Sequence, residues 1–180
     1  MTLVVNLYGG PGTGKSTTAT GAFSLLKLMG INVEYASEFI KDAVWEQHHQ
    51  KYFAAQEFIV ANQYKRIRNL DGMVDVIITD SPIMLGLIYI SDDYPFPALK
   101  DLILQMQFNH STLDIVLTRT KEYQQAGRYQ TEDEAKEIDK KIYTMLHEHN
   151  IPHTTVVSDK YASSVVAYLV EEELKKLKGK

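Results

Sequence analysis

The residues with the clearest chemical potential form one glycine-rich segment near the start of the chain, Gly9-Gly10-Pro11-Gly12-Thr13-Gly14-Lys15-Ser16. This segment, called the phosphate loop below, fits the pattern G-x-x-x-x-G-K-[ST] at every specified position. Glycines allow a tight turn whose N–H groups point inward, and such a nest at the positive end of a helix binds phosphate oxygens. Lys15 can then reach the β- and γ-phosphates of a nucleotide, and the Ser16 hydroxyl can bind Mg²⁺.

We therefore predict that residues 10–17, Thr17 included, bind ATP together with Mg²⁺. The motif by itself leaves open whether the bound nucleotide serves group transfer, hydrolysis or a switch. A plain glycine-rich turn between a strand and a helix would look similar, but the flanking segments favour nucleotide binding.

Strand-like and helix-like segments alternate along the chain. Residues 3–8 are an apolar run typical of a buried strand, and residues 16–29, which contain no proline, are typical of a helix. This alternation predicts an α/β fold in which helices cover both faces of a parallel sheet. Further helices are predicted at 38–49, 51–69, 83–90 and 98–109. Ser158 and Asp159 are predicted to cap the last helix.

A carboxylate follows the second predicted strand. Apolar residues alternate over 31–35, so this strand should end near Ala36, at the carboxyl edge of the sheet where ligands bind in such folds. Glu38 is therefore a candidate for contact with a second substrate, and Asp42 is a weaker one. The alternative is that Ser37 caps the next helix and Glu38 only favours its first turn.

A second carboxylate follows the third predicted strand. Residues 74–79 are largely apolar and lead directly into Asp80. Coupled to a preceding phosphate loop, this pattern is typical of a Walker B element, in which Asp80 would hold Mg²⁺ or its water shell together with Ser16.

Two arginines follow the fourth predicted strand, in a polar segment that should lie on the ligand edge of the sheet. We predict a short lid at about 119–131, which ends where Thr131 opens a capping box. Arg119 is predicted to contact the nucleotide, and Arg128 to stabilise charge on a transferring phosphoryl group. The alternative is that both arginines are surface residues paired with the acidic start of the next helix.

An aromatic-rich region and a basic cluster lie between these sites. Trp45, Tyr52, Phe53 and Phe58 are predicted to fill a core, although some of them could stack on a flat acceptor such as a base. Lys65, Arg66 and Arg68 are predicted to form a solvated helix end, with a phosphate contact as the alternative.

The composition is that of an ordinary globular protein: 180 residues, 44% of them hydrophobic and 23% charged. This length predicts a single domain over 1–180. The absence of cysteine excludes disulfides and thiolate zinc sites. No apolar run could span a bilayer and no signal peptide precedes Thr2, so we expect a cytoplasmic protein without a membrane partner. The formal charge of −4 provides no global attraction to nucleic acid.

Taken together, these motifs resemble small P-loop kinases. The resemblance rests on the phosphate loop, Glu38 after the second strand, Thr79-Asp80-Ser81-Pro82 after the third, and Gly127-Arg128 in a short lid. The chain resembles nicotinamide-riboside-kinase-like and deoxynucleoside-kinase-like proteins. It is also similar to small kinases of tailed bacteriophages, some of which phosphorylate 5-hydroxymethyluracil in DNA. The resemblance implies a P-loop NTPase three-layer fold with a five-stranded parallel sheet in the order 2-3-1-4-5. Deoxynucleoside kinases carry an arginine after the third strand where this chain has Ser81.

Phosphoryl transfer from ATP to a hydroxyl is the function that these features favour together. Lys15 would neutralise developing charge, while Ser16 and Asp80 hold Mg²⁺. Arg128 would close over the γ-phosphate, and Glu38 would orient or deprotonate the acceptor hydroxyl. A lid suits this chemistry because it keeps water away from the phosphoryl group.

Several acceptors fit these features. The most specific hypothesis is 5-hydroxymethyluracil in phage DNA, which would place the protein in the host cytoplasm. The alternative within the same class is a small molecule, namely a nucleoside, a nucleotide or nicotinamide riboside. A hypothesis of another class is an NTP-driven regulatory ATPase module. We expect a dimer if the protein is a kinase, and a nucleotide-dependent hexamer would favour the regulatory module.

Overall fold

Five strands form the centre of the computed structural model, which describes residues 2–41, 52, 54–120 and 131–179. They are β1 (Leu3–Tyr8), β2 (Val33–Ala36), β3 (Val76–Thr79), β4 (Ser111–Thr118) and β5 (His153–Val157). All pairings are parallel, and the order in the sheet is β2-β3-β1-β4-β5. The expected fold class and strand order are therefore confirmed.

Six α-helices connect and cover these strands within the described residues. They are α1 (Lys15–Leu28), α2 (Gln56–Arg68), α3 (Gly86–Tyr89), α4 (Ala98–Phe108), α5 (Glu132–Glu148) and α6 (Ala162–Lys178). No helix in this part of the chain is both long and apolar enough to cross a membrane.

Each face of the sheet has its own apolar core, because successive side chains of a strand point to opposite faces. On β1, Leu3, Val5 and Leu7 belong to one core, and Val4 and Tyr8 to the other. Helices α1 and α6 cover the first face, while α2, α4 and α5 cover the second. Burial on both faces explains why the central strands are almost continuously apolar in sequence.

Local sequence signals set the ends of two helices as expected. At the end of α1, Gly30 has a φ of 79°, and the N–H groups of Gly30 and Ile31 donate to Lys27 O and Leu26 O at 3.0 Å each. This is the Schellman motif, which favours glycine. At the start of α5, Thr131 and Glu134 form the predicted capping box.

Two predicted helices have different bounds in the structure. The helix predicted at 51–69 begins at Gln56, whose N–H donates to the Tyr94 hydroxyl at 2.8 Å, a partner supplied by the tertiary fold. The helix predicted at 83–90 is a 3₁₀ turn, Ile83–Leu85, followed by the short α3. Most of the helix predicted at 38–49 lies outside the described residues.

A buried carboxylate joins β1 to β4 beneath the phosphate loop. Asp114 is 3% exposed, and its Oδ1 accepts hydrogen bonds from Asn6 Nδ2 at 2.9 Å, Tyr8 Oη at 2.8 Å and Gln107 Nε2 at 3.2 Å. Its Oδ2 accepts from Thr112 Oγ1 at 2.6 Å. Burial and this carboxylate raise the pKa of Tyr8 well above its usual value, so Tyr8 stays a hydrogen-bond donor. The network fixes the strand end from which the phosphate loop departs.

We expect Asp114→Ala to lower the free energy of unfolding by about 3 kcal/mol or more, because each buried donor left without an acceptor costs about 1–3 kcal/mol. Asp114→Asn should cost less, since its amide oxygen can still accept at the position of Oδ1. Urea unfolding of both variants measures the difference. Equal losses in the two variants would contradict this expectation, because the amide oxygen would then not replace the carboxylate as an acceptor.

Candidate functional site

The phosphate loop has the backbone geometry that its glycines predict. Gly12 and Gly14 have φ values of 80° and 93°, in the left-handed region, and Gly14 is the N-cap of α1. Within the loop, Thr13 Oγ1 donates to Gly10 O at 2.8 Å, and the Thr18 N–H donates to Gly14 O at 2.9 Å. The loop therefore ends in the first turn of α1, where helix N–H groups and the helix dipole favour an anion.

Lys15 lies folded over this loop. Its Nζ donates to Gly9 O at 2.6 Å and to Gly10 O at 3.2 Å. Burial lowers the pKa of Lys15, and the nearby carboxylates of Glu38 and Asp80 oppose this shift. The structure thus brings together three of the residues predicted as catalytic.

Ser16 and Asp80 form a pair suited to Mg²⁺. The Ser16 hydroxyl donates to Asp80 Oδ2 at 2.5 Å, and Asp80 follows directly after β3. Asp80 is 2% exposed, and its Oδ1 is a buried oxygen without a hydrogen-bond partner. A buried oxygen of this kind calls for a ligand, and oxygen donors are those that Mg²⁺ prefers. Mg²⁺ held here by Ser16 and Asp80 would neutralise phosphate charge.

Tyr35 belongs to the same site, although the sequence indicated only its place in a strand. Its hydroxyl interacts with the Asp80 carboxylate and with Ser16. Burial, followed by the negative charge of Asp80, raises the pKa of Tyr35. Tyr35 therefore remains protonated and can donate to Asp80. The signal in the sequence was its position one residue before the end of β2.

Glu38 lies just beyond β2, which ends at Ala36 as predicted. Burial raises the pKa of Glu38, and the neighbouring Lys15 ammonium opposes this shift. Loss of hydration, together with the Glu38 charge, raises the pKa of Tyr89 to about 12. Glu38 is thus a partly desolvated carboxylate close enough to Lys15 to interact with its charge. Asp42, the weaker candidate, lies outside the described residues.

Two side chains of α2 hold the segment that carries Glu38. Gln63 is 3% exposed; its Oε1 accepts the Phe39 N–H at 2.8 Å, and its Nε2 donates to Ser37 O and to Thr79 Oγ1, each at 3.3 Å. Arg66 donates to Ser37 Oγ at 2.6 Å. Arg66 is therefore part of the site rather than of a solvated helix end. Gln63 also links this segment to Thr79, the residue before Asp80.

A third carboxylate that the sequence did not single out is Asp139 of α5. Its Oδ1 accepts the Gly10 N–H at 2.5 Å. Its Oδ2 accepts from Arg119 Nε at 3.2 Å and Nη2 at 3.0 Å. Arg119 thus lies beside the phosphate loop, in an ion pair with Asp139. Arg128 and residues 121–130 of the predicted lid lie outside the described residues.

Ser158 also contacts the phosphate loop, which corrects its predicted role. The Ser158 hydroxyl donates to Thr13 O, and α6 begins later, at Ala162, without a side-chain cap. Asp159 accepts the Tyr161 N–H at 2.8 Å instead of an N–H of α6. A Cβ added at Gly14 would lie 2.7 Å from Ser158 Oγ. The close approach of Ser158 therefore favours glycine at position 14, in addition to the left-handed φ there.

The family of the chain follows from a family model described as an AAA domain, AAA_28, which matches residues 4–163. The chain belongs to this AAA domain family. No curated protein sequence matches the chain significantly. The matched segment contains the phosphate loop, Glu38, Asp80 and Asp139.

Two solved structures of NadR protein are similar in fold. One is in complex with NR and has a TM-score of 0.67 and 16% identity over 95% of this chain and 51% of the NadR chain. The other is in complex with NAD and AMP-PNP and has a TM-score of 0.67 and 14% identity over 94% of this chain and 49% of the NadR chain. The chain spans about half the length of these NadR chains. At such identities the similarity concerns the fold.

Lys15→Ala should lower ATP turnover by about 10²–10³-fold or more, because it removes a preorganised cation from the phosphates. Lys27→Ala is the matched control, since Lys27 lies on the same helix in an exposed pair with Glu34. ADP release reports turnover, and circular dichroism checks the fold. Full turnover in folded Lys15→Ala would show that the phosphate loop does not serve as the nucleotide site.

Asp80→Asn should raise the Mg²⁺ concentration needed for half-maximal turnover by about 10–100-fold, the usual effect of removing a metal-site partner. Nucleotide binding without Mg²⁺ should change little. Asp75→Asn, at the exposed opposite end of β3, is the control. An unchanged Mg²⁺ titration for Asp80→Asn would exclude Asp80 from the metal site.

Proposed function

We propose that the protein is an ATP-dependent phosphotransferase that moves the γ-phosphate to a hydroxyl of a nucleoside-like acceptor. The observation that carries the proposal is the position of Glu38, whose carboxylate interacts electrostatically with both Lys15 and Asp80. A carboxylate in this position can accept the proton of an attacking hydroxyl, and the acceptor panel below separates an acceptor hydroxyl from water.

In the proposed reaction, the acceptor oxygen forms a bond to the γ-phosphorus while the bond to the β,γ-bridging oxygen breaks, which releases ADP. The acceptor proton passes to Glu38. Lys15 and the loop N–H groups neutralise charge on the phosphates, and Arg119 and Arg128 add further positive charge. The protein's main contribution is positioning, since phosphoryl transfer needs little covalent help.

The aromatic residues next to Glu38 support a flat acceptor. The ring of Phe39 lies 5.6 Å from that of Phe58, which stacks on Tyr52 at 5.1 Å. Phe58 is 41% exposed, so this group is not sealed in the core as its composition predicted. Trp45 and Phe53 lie outside the described residues. An aromatic group with one exposed ring, next to the proposed catalytic carboxylate, suits a nucleobase or a pyridine ring.

The acceptor has two possible sources with the same chemistry. A free nucleoside-like molecule is supported by the similar NadR fold, which in one structure holds NR and in another NAD and AMP-PNP. The finer hypothesis is a hydroxymethylated base in DNA, 5-hydroxymethyluracil in phage DNA, which rests on the sequence resemblance alone.

A second class of function is favoured by the family description, AAA domain. In this case the protein would be an NTP-driven regulatory module that hydrolyses ATP without an acceptor. Light scattering with and without ATP separates the two classes, because a nucleotide-dependent hexamer fits the module and a constant dimer fits the enzyme.

Transfer of label from γ-labelled ATP tests the proposal directly. The panel contains nucleosides, nucleotides, nicotinamide riboside, and duplex DNA with 5-hydroxymethyluracil, together with the same DNA carrying thymine. Label in a free nucleoside-like compound or in the modified DNA supports the proposal and identifies the source. Release of phosphate to water at one rate with every acceptor would contradict it.

Glu38→Gln should lower phosphotransfer by about 10²–10⁴-fold, the usual contribution of general-base assistance, with little change in ATP affinity. Because burial raises the pKa of Glu38, wild-type activity should rise with pH through a value above that of an ordinary glutamate. Initial rates across acidic pH measure both effects. The acid limb should disappear in Glu38→Gln.

Gln63→Leu is the companion variant, because it loosens the Glu38 segment and keeps the carboxylate. Its rate should fall less than that of Glu38→Gln, and its acid limb should remain. Asp42→Asn should have a small effect. A larger effect of Asp42→Asn than of Glu38→Gln would identify Asp42, and not Glu38, as the general base.

A further inference from the structure

One carboxylate, that of Asp139, connects two parts of the nucleotide site that are far apart in sequence. Its Oδ1 accepts the Gly10 N–H of the phosphate loop at 2.5 Å. Its Oδ2 accepts two N–H groups of the Arg119 guanidinium, at 3.2 and 3.0 Å. Both side chains are largely buried, with exposed fractions of 12% for Arg119 and 24% for Asp139. A charge-assisted pair of this geometry holds the guanidinium in one orientation.

Helix α5 approaches the phosphate loop closely at this point. A Cβ added at Gly10 would lie 2.5 Å from Ala135 O, 2.7 Å from Asp139 Oδ1 and 3.3 Å from Arg119 Nη2. The first turn of α5 is fixed by the capping box of Thr131. The helix is therefore a rigid support that carries Asp139 against the loop, and the Arg119 guanidinium lies beside the loop backbone.

The charges of Asp139 and Arg119 also balance each other. Asp139 and Arg119 both influence Lys15, and they do so in opposite directions. While Arg119 is present, the Asp139 carboxylate next to the phosphate loop is neutralised. Without Arg119, the same carboxylate would stand uncompensated beside bound phosphate and would repel it.

We propose that Asp139 is a positioning residue of the nucleotide site, which holds Arg119 against the phosphate loop so that the guanidinium and the loop N–H groups act on the same phosphates. Asp139 does not touch the nucleotide in this proposal and acts through Arg119, while its hydrogen bond from the Gly10 N–H places it against the phosphate loop. The inference rests on the ATP site of the proposed function and is independent of the acceptor.

The test is a double-mutant cycle on Mg²⁺–ATP affinity, measured by isothermal titration calorimetry with the full chain. Asp139→Ala and Arg119→Ala should each raise Kd by about tenfold to hundredfold, the range of a hydrogen bond to a charged group. In the Arg119→Ala background, Asp139→Ala should leave Kd unchanged or lower it, because it then removes an uncompensated negative charge. Equal weakening in both backgrounds would overturn the proposal, as would an unchanged Kd for Asp139→Ala alone.

Two control variants and the wild-type protein separate the role of Asp139 from other effects on Kd. Asp133→Ala removes an exposed carboxylate from the first turn of the same helix and should leave Kd unchanged. Asp139→Asn keeps an acceptor for Gly10 and should raise Kd less than Asp139→Ala does, and it replaces Asp139→Ala in the cycle if that variant unfolds. Absence of ATP binding to the wild-type protein would defeat the proposed function itself, which is a separate result.

Discussion

A partly buried ammonium group, that of Lys15, is the feature on which the rest of the site depends. Taking a cation out of water is costly, and burial accordingly lowers the pKa of Lys15. Three carboxylates oppose this effect, those of Glu38, Asp80 and Asp139. They come from three different parts of the fold, namely the ends of β2 and β3 and the middle of α5. The sheet and its covering helices therefore have to meet correctly before Lys15 can be held over the phosphate loop.

Close packing around the phosphate loop explains why its glycines have more than one role. Gly14 supplies a left-handed φ, and it also leaves room for Ser158 from the connection between β5 and α6. Gly10 leaves room for the backbone of α5. A loop that binds phosphate through its N–H groups is thus also the point where α1, α5 and the connection between β5 and α6 converge. Changes far along the chain, at Asp139 or Ser158, act on this loop directly.

Positions next to one another in sequence were well predicted. The strand order, the glycine that ends α1 and the capping box of α5 all follow from local patterns or from the family resemblance. Glu38 and Asp80 were found because the carboxyl ends of parallel strands share one edge, so a residue just after a strand has a known location. The Ser16–Asp80 contact is the direct consequence of that rule.

The sequence by itself determined the phosphate loop and the two strand-end carboxylates, because each is encoded by residues close together in the chain. The alternation of strand and helix segments along the chain predicted the parallel sheet. Only the tertiary structure revealed Tyr35, Gln63 and Asp139 as parts of the site. Gln63 and Asp139 lie in the interiors of helices, where a polar residue looks like any solvated one until the helix is placed against its neighbour. Tyr35 looks like an ordinary strand residue until β2 is placed beside β3. Ser158 was assigned to a helix cap for the same reason: its hydroxyl can satisfy either a local N–H or a distant carbonyl, and packing against the phosphate loop decided for Thr13.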